Sequence, residues 1–150
     1  MIRVFKNTKS DKLLLLNYLK EVNYDFNPAL SSHSKLEEFV KKILLLGNVY
    51  AYFIDEVLAG VICFYSNNLD ASTAYCSVLS VKEEFRRRGI ANSLIDFYIN
   101  FCCDRKIKNI TIHTNNKFAL NLYLKKGFHV VNSSYTEGRE RFFLKFNINL

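Results

Sequence analysis

The order of strand-like and helix-like segments is the feature that most constrains the fold of this chain. Runs of β-branched and aromatic residues alternate with leucine-rich runs at helical spacing, and no linker, repeat or low-complexity tract separates them. The order is one strand, two helices, three strands, a helix, a strand, a helix and two strands. At 150 residues the chain has the size of one domain, so we predict a single domain over residues 1–150.

Turn residues and periodicity place the individual segments. The acidic pair Asp55-Glu56 separates two β-rich runs and predicts a hairpin, whereas Gly47 and Gly127 are suited to end helices. The predicted strands are 2–6, 48–55, 56–67, 73–85, 107–114, 128–135 and 141–150, and the predicted helices are Ser10–Glu21, Ser31–Leu46, Ile90–Cys103 and Asn116–Lys126.

A strand-helix-strand unit lies around Ile90–Thr114. Such a unit forms a right-handed crossover between parallel strands, while the three strands before it form an antiparallel meander. We therefore predict an α/β (α+β) fold with a mixed, mostly antiparallel central sheet and helices on both faces.

The excess charge of +7 lies entirely in residues 76–150, since residues 1–75 hold eight basic and eight acidic side chains. A basic balance suits nucleic acid, an anionic membrane surface or a phosphate-bearing small molecule. Nucleic-acid binding predicts basic residues interleaved with aromatic ones on an exposed face, whereas three arginines cluster here before one helix. We therefore disfavour a nucleic-acid partner.

Apolar runs near the N-terminus, such as Leu13–Leu16, are too short for a signal peptide or a membrane span. We expect a cytoplasmic location and no membrane partner. The four cysteines have no metal-ligand spacing, so we expect no metal and buried thiols in a reducing compartment: Cys63, Cys76, Cys102 and Cys103.

Three arginines, Arg86 to Arg88, precede Gly89 where a helix is predicted to begin. The start of a helix already carries positive charge from its dipole and its unpaired N–H groups. Positive side chains there are unfavourable unless an anion lies over them, and glycine allows phosphate oxygens to approach the backbone. The segment therefore predicts a phosphate site.

The last predicted helix carries polar and aromatic residues on one face. Asn116, Ala119 and Tyr123 are three and four positions apart and share that face, whereas Leu120 and Leu124 are expected to pack inward.

Two motifs in this order resemble the GNAT superfamily of acetyl-CoA-dependent N-acetyltransferases. The resemblance covers nearly the whole chain in topology, and its specific part lies between Leu79 and Phe128. The motifs are Arg86-x-x-Gly89-x-Ala91 after the strand end Leu79-Ser80-Val81, and Asn116-x-x-Ala119-x-x-Leu122-Tyr123-x-x-x-Gly127-Phe128.

The resemblance implies acetyl-CoA as cosubstrate and assigns roles by position. Backbone N–H groups of the turn would bind the pyrophosphate, the strand end would pair with the pantetheine arm, and Tyr123 would protonate the leaving thiolate as general acid. The implied cofactor-binding residues are Leu79, Ser80, Val81, Arg86, Arg87, Arg88, Gly89, Ile90, Ala91, Asn116 and Ala119. Arg87 and Ala91 stand where glycine is commoner in the family.

The general base is not identified. Many family members carry a glutamate on the strand before the turn, but Thr73–Leu79 contains no carboxylate. Tyr75, Ser77 and Leu79 share one strand face by period-two alternation, so Tyr75 or Ser77 could hold a water that relays the proton. His113 is the other candidate.

The acceptor is expected to bind the loop between the first two helices, with Tyr24, Asp25, Phe26 and His33 as candidate lining and Asp25 attracting a cationic amine. We predict transfer of an acetyl group to a primary amine of a small molecule, such as an amino sugar or a polyamine. Acetylation of a protein N-terminus or lysine remains the alternative, and a basic nucleic-acid-binding module a remote one. The protein is expected to be a monomer or a homodimer.

Overall fold

The computed structural model describes residues 1–26, 28–32, 35–68, 72–136 and 138–148. The strands are β1 (Ile2–Val4), β2 (Asn48–Ile54), β3 (Val57–Asn68), β4 (Thr73–Val81), β5 (Asn109–Thr114), β6 (His129–Thr136) and β7 (Arg139–Asn147). The α-helices are α1 (Lys9–Val22), α2 (Leu36–Leu46), α3 (Ile90–Asp104) and α4 (Lys117–Lys126). This is the order that the sequence predicts.

Within the described ranges, the strands form one seven-stranded sheet in the order β1-β2-β3-β4-β5-β7-β6. Strands β4 and β5 are parallel, and every other neighbouring pair is antiparallel. One core packs α1 and α2 on one face of the sheet, and a second core packs α3 and α4 on the other. The predicted mixed sheet with helices on both faces is confirmed.

The second helix begins later than predicted, at Leu36 instead of Ser31. The side chain of Asn23 accepts a hydrogen bond from the Ser31 backbone N–H at 2.8 Å and donates one to the Ser31 hydroxyl at 3.0 Å. Ser31 is thereby held in a short 3-10 turn, and Lys35 is extended with ψ 136°. His33 lies outside the described residues.

Strands β4 and β5 pair only at their beginnings, from Thr73 opposite Asn109 to Tyr75 opposite Thr111. Just beyond this point β4 contains a β-bulge, because Cys76 lies opposite Phe64 and Val78 lies opposite Cys63, which leaves Ser77 as an extra residue. A bulge bends a strand and increases its twist. Beyond Tyr75 the two strands separate, and a gap opens in the middle of the sheet.

The bulge also reverses which side chains of β4 face each core. Ala74 and Cys76 pack in the core of α3 and α4, but Val78 packs in the core of α1 and α2. Leu79 then contacts the α3 and α4 core, on the face opposite to Tyr75. The prediction that Tyr75, Ser77 and Leu79 share one face is therefore wrong, because the extra residue breaks the period-two alternation.

Three cysteines, Cys63, Cys76 and Cys102, are buried as expected, but Cys103 is exposed. Successive helical residues point about 100° apart, so Cys102 and Cys103 cannot both face the core. No group of three metal-ligating side chains occurs among the residues that the structure describes. In those ranges, too, no helix has the length and apolar character that crossing a membrane requires.

Gly60 on β3 allows the first turn of α3 to lie close to the sheet. A Cβ atom at this position would be 3.0 Å from the Ser80 carbonyl oxygen and 3.1 Å from Cγ2 of Ile90. Ile90 is the first residue of α3, so this contact sets where the helix begins relative to β4.

We expect Gly60→Ala to lower the free energy of unfolding by about 1 to 3 kcal/mol, as added methyl groups do in well-packed cores. In a strand without such a close contact, the same change would raise stability by about 0.5 to 1 kcal/mol. Urea unfolding gives the sign. A higher midpoint for Gly60→Ala would show that α3 does not depend on this contact.

Candidate active site

A cavity of about 1130 Å3 occupies the gap between β4 and β5. Its lining comes from both faces of the sheet, so the cavity passes from one side of the sheet to the other. On the α3 and α4 side the lining includes Ala91, Asn116, Phe118, Ala119, Leu122 and Tyr123, and on the α1 and α2 side it includes Asp25, Phe26, Leu30, Leu36, Phe39, Tyr75, His113, Arg141 and Phe143.

The end of β4 forms one wall of the cavity through Leu79, Ser80 and Val81. The Ser80 side chain is buried and shares a hydrogen bond of 3.0 Å with the hydroxyl of Tyr18 in α1. Its side chain is therefore turned away from β5. Because β5 has separated from β4 here, the backbone edge of β4 is left to pair with an extended ligand.

The turn after β4 leads into α3 at the other end of the cavity. The first backbone bond of the helix joins the Ser93 N–H to the Gly89 carbonyl at 3.0 Å, so the N–H groups of Ile90, Ala91 and Asn92 have no intrahelical partner. Arg86, Arg87 and Ala91 line the cavity, whereas Arg88, Gly89 and the buried Ile90 are not part of its lining. Unpaired N–H groups at this end suit an anion.

The three arginines of the turn have different environments. Arg86 donates to the Val81 carbonyl through Nε at 3.1 Å and pairs with the Asp25 carboxylate through Nη2 at 3.1 Å. The Arg88 guanidinium lies 5.5 Å from the centre of the Phe85 ring. Part of the charge at the helix start is thus neutralised within the chain. Asp25 already carries a cationic partner, which argues against the predicted attraction of a cationic acceptor.

Arg87 has a φ of 66°, in the left-handed region. This is one of the two positions where the family resemblance described above implies glycine more often. A left-handed backbone costs a residue with a Cβ roughly 1 to 2 kcal/mol. Gly89 adopts a similar φ of 76° without that cost, so the turn needs this conformation at two positions.

Asn116 is the N-cap of α4. Its side-chain oxygen accepts hydrogen bonds from the N–H groups of Phe118 at 2.8 Å and Ala119 at 3.2 Å. Its amide NH2 is the part left for the cavity. Leu120 packs against the core as predicted, but Leu124 is 45% exposed and Tyr123 fills the inward position instead. The inward face predicted for α4 is therefore wrong at Leu124, because Tyr123 packs inward beside Phe128 and the next helical residue points about 100° away from it.

Tyr123 is only 3% exposed, and burial together with the nearby Cys76 thiol raises its pKa above the usual value for tyrosine. Its hydroxyl makes no hydrogen bond to any residue that the structure describes. Every fully buried side-chain oxygen or nitrogen of the same residues has a hydrogen-bond partner. Because the Tyr123 hydroxyl has none, it is not fully buried, and it is accessible from the cavity that Tyr123 lines. Tyr123 therefore presents a protonated donor to the cavity.

Two of the candidate bases form one hydrogen-bonded unit with a residue that the sequence did not single out. The Tyr75 hydroxyl is 2.8 Å from Nε2 of His113, and Nη1 of Arg141 is 2.7 Å from Nδ1 of the same ring. Arginine can only donate, so Nδ1 accepts and the ring proton lies on Nε2, directed at Tyr75. Period-two alternation on the last strand, which places Arg139, Arg141 and Phe143 on one face, is the signal that could have identified Arg141.

The remaining candidates have less suitable positions. The Ser77 hydroxyl donates to the Cys63 carbonyl at 3.2 Å, which turns it toward β3. Tyr24 is 84% exposed and is not part of the lining, whereas Phe26 is.

Comparison with known proteins gives the family. The family model described as "Acetyltransferase (GNAT) domain" matches residues 20–144. No curated protein sequence matches the chain.

Solved structures share the fold at low identity. An acetyltransferase of the GNAT family from Streptococcus pneumoniae is 16% identical with a TM-score of 0.77, covering 99% of this chain and 100% of its own. A GNAT acetyltransferase from Elizabethkingia anophelis with acetyl-CoA bound is 21% identical with a TM-score of 0.70, covering 99% and 97%. A Bacillus subtilis acetyltransferase in complex with CoA is 19% identical with a TM-score of 0.71, covering 99% and 98%.

At these identities the structures show that the fold is shared, and the family model covers most of the sequence, including both motifs. The chain therefore belongs to the GNAT family and is an N-acetyltransferase whose acetyl donor is acetyl-CoA.

Proposed function

We propose that acetyl-CoA lies along the free edge of β4 with its pyrophosphate at the start of α3, and that a small-molecule primary amine enters from the α1 and α2 face. The observation that supports this most strongly is the cavity through the gap between β4 and β5, which opens the sheet to both faces. The thioester and the amine would meet in this gap.

The cofactor residues follow from that placement. The backbone of Leu79 to Val81 pairs with the pantetheine arm as a further strand would. The N–H groups at the start of α3 and the Arg87 side chain face the pyrophosphate. Asn116 and Ala119 at the start of α4 border the arm from the other side.

Tyr123 acts on the leaving group. The amine nitrogen attacks the thioester carbonyl, the carbon–nitrogen bond forms, the carbon–sulfur bond breaks, and the proton lost by the nitrogen ends on the CoA sulfur. An ordinary thiol has a pKa of about 8.5, below that of a phenol, so the hydroxyl contributes first as a hydrogen-bond donor to the developing thiolate. Burial, which raises the pKa of Tyr123, keeps this proton in place at any working pH.

The Tyr75 hydroxyl holds a water, and before the attack this water takes one proton from the acceptor ammonium and passes it to the solvent. His113 could accept a proton only at Nδ1, and it would then lose the hydrogen bond that Arg141 donates to this atom. The ring instead fixes the Tyr75 hydroxyl, which retains its own proton and an oxygen lone pair for a water or for the amine.

The acceptor end of the cavity is lined by hydrophobic side chains from the segment before α2, from α2 itself and from β7, including Phe26, Leu30, Phe39 and Phe143. Such walls support a small-molecule amine over a lysine on a folded protein. An extended protein N-terminus is the alternative that they leave open.

The proposed function is tested by following CoA thiol release with a panel of amines: amino acids, amino alcohols, amino sugars, polyamines and short peptides. At least one small-molecule amine should accelerate release well above hydrolysis. If peptides alone are acetylated, the protein-acetyltransferase alternative is correct. If no amine is acetylated while acetyl-CoA binds, the proposed activity is wrong.

Gly89→Asn should weaken CoA binding at least about tenfold, a loss of about 1.4 kcal/mol. Asparagine tolerates the left-handed backbone, so the turn is kept, but its side chain lies over the N–H groups that would face the pyrophosphate. Calorimetry with CoA measures the change.

Gly138→Asn is the matched control for this measurement. Gly138 has a φ of 77°, and at Gly138, as at Gly89, an added Cβ would meet no heavy atom of the described residues within 4 Å, apart from its chain neighbours. It lies in the turn between β6 and β7. Equal affinities of the two variants for CoA would disprove the phosphate site.

Tyr123→Phe should lower kcat roughly 100-fold, or about 2.7 kcal/mol, with little change in affinity for acetyl-CoA. The pKa of Tyr123 is raised, so the wild-type hydroxyl stays protonated and the ratio of the two rates should be constant between about pH 7 and 9.5. The measurement is kcat against pH with chemistry shown to be rate-limiting.

Tyr98→Phe is the control, since it removes another buried hydroxyl from the same core, one that donates to the Thr111 carbonyl at 3.3 Å and does not reach the cavity. It should cost about 1 kcal/mol of stability and leave kcat unchanged. Equal kcat values for Tyr123→Phe and wild type would make Tyr123 a packing residue.

A further inference from the structure

Two arginines line the acceptor end of the cavity. Arg139 and Arg141 are two residues apart on β7, so their side chains lie on the same face, and both line the cavity. Among the lining residues that the structure describes, Asp25 is the one carboxylate, and it is paired with Arg86 at 3.1 Å.

The guanidinium of Arg141 has unused binding capacity. It has five N–H donors, of which one is engaged with His113. No carboxylate of the described residues lies within 4.0 Å of the Arg141 guanidinium. The ion pairs among these residues join other side chains: Arg3 with Asp11, Lys82 with Glu21, Arg86 with Asp25, and Lys126 with Asp96. A partly buried guanidinium without a counter-ion favours an anionic ligand.

The phosphates of the cofactor are too far away to be that anion. Arg141 belongs to the unit that contains Tyr75, whereas the phosphate turn follows Val81. Val81 follows Tyr75 by six positions along β4, a span of roughly 20 Å at about 3.3 Å per residue. This is well beyond the screening length of about 8 Å at physiological ionic strength.

We propose that the acceptor is an amine that also carries an anionic group, a carboxylate or a phosphate, and that Arg141 binds this group with Arg139 beside it. This rests on the proposed acetyltransferase function and narrows its substrate class. The anion on Arg141 places the amine next to the Tyr75 hydroxyl, because His113 connects the two side chains at 2.8 and 2.7 Å. A polyamine is disfavoured, since its charges meet arginines at this end of the cavity.

The experiment compares matched acceptors that differ only in the anion: phenylalanine with phenylalaninamide, and phosphoethanolamine with ethanolamine. CoA release is measured for each with wild-type protein, at equal concentrations of free amine, and spermidine serves as the polycationic probe. In at least one pair the anionic member should have a kcat/KM about tenfold higher or more. The pair that responds tells carboxylate from phosphate.

Arg141→Gln should remove most of that preference by raising KM for the anionic member while changing the neutral member much less. Lys145→Gln is the control. This substitution removes the same charge from the same face of β7, but Lys145 does not line the cavity. An equal loss for both members of a pair would show that Arg141 only positions His113.

The wild-type comparison alone decides the proposal if Arg141→Gln does not fold. If neutral amines or spermidine are acetylated as fast as the anionic members of the pairs, the proposal of an anionic acceptor is wrong, and the acetyltransferase function is unaffected. Failure to acetylate any amine overturns the function and this inference with it.

Discussion

The separation of β4 from β5 is the constraint on which the rest of the site depends. A sheet with every strand paired would have no place for a ligand in its middle, and its backbone groups would all be satisfied. The extra residue at Ser77 bends β4 after its last pair with β5, at Tyr75 and Thr111. The two strands stay joined at one end by backbone hydrogen bonds and diverge at the other. One irregularity thus produces both the free strand edge and the passage between the two faces of the sheet.

The bulge also distributes the chemistry between the two faces. Before it, Tyr75 points to the α1 and α2 side, where His113 and Arg141 meet it. After it, Leu79 lies on the α3 and α4 side. Groups that suit the acceptor and groups that suit the cofactor are therefore kept apart along a single strand, and they approach each other only across the gap. Gly60 completes this arrangement by letting α3 begin close to the end of β4.

The sequence predicted correctly those features, such as tight turns, that depend only on residues next to each other in the chain. The hairpin at Asp55-Glu56 appears with positive φ values of 47° and 66°, and the turn at Gly89 has the left-handed backbone that glycine favours. The alternation of polar and apolar residues runs from Thr73 to Ser77 and breaks at Val78-Leu79, but which residue is extra is defined only by pairing with β3. The late start of α2 depends likewise on Asn23, a residue outside the predicted helix.

Long-range pairing explains how the chain tolerates three arginines at a helix start. Arg86 is neutralised by Asp25, which is 61 positions away, and Arg88 lies over the Phe85 ring. Arg87 is left facing the cavity, on a backbone that is unfavourable for any residue with a Cβ. The Arg87 side chain is positive and lies beside the N–H groups at the start of α3 that have no intrahelical partner. A bound anion would stabilise both, and would offset the cost of the left-handed backbone. Positive charge was the feature of the sequence that pointed to a ligand, yet its sum over the chain did not show where a ligand would bind. Contacts within the chain separate arginines with a partner, such as Arg86, from arginines that face the cavity, such as Arg87, and it is the second group that we propose to bind substrates.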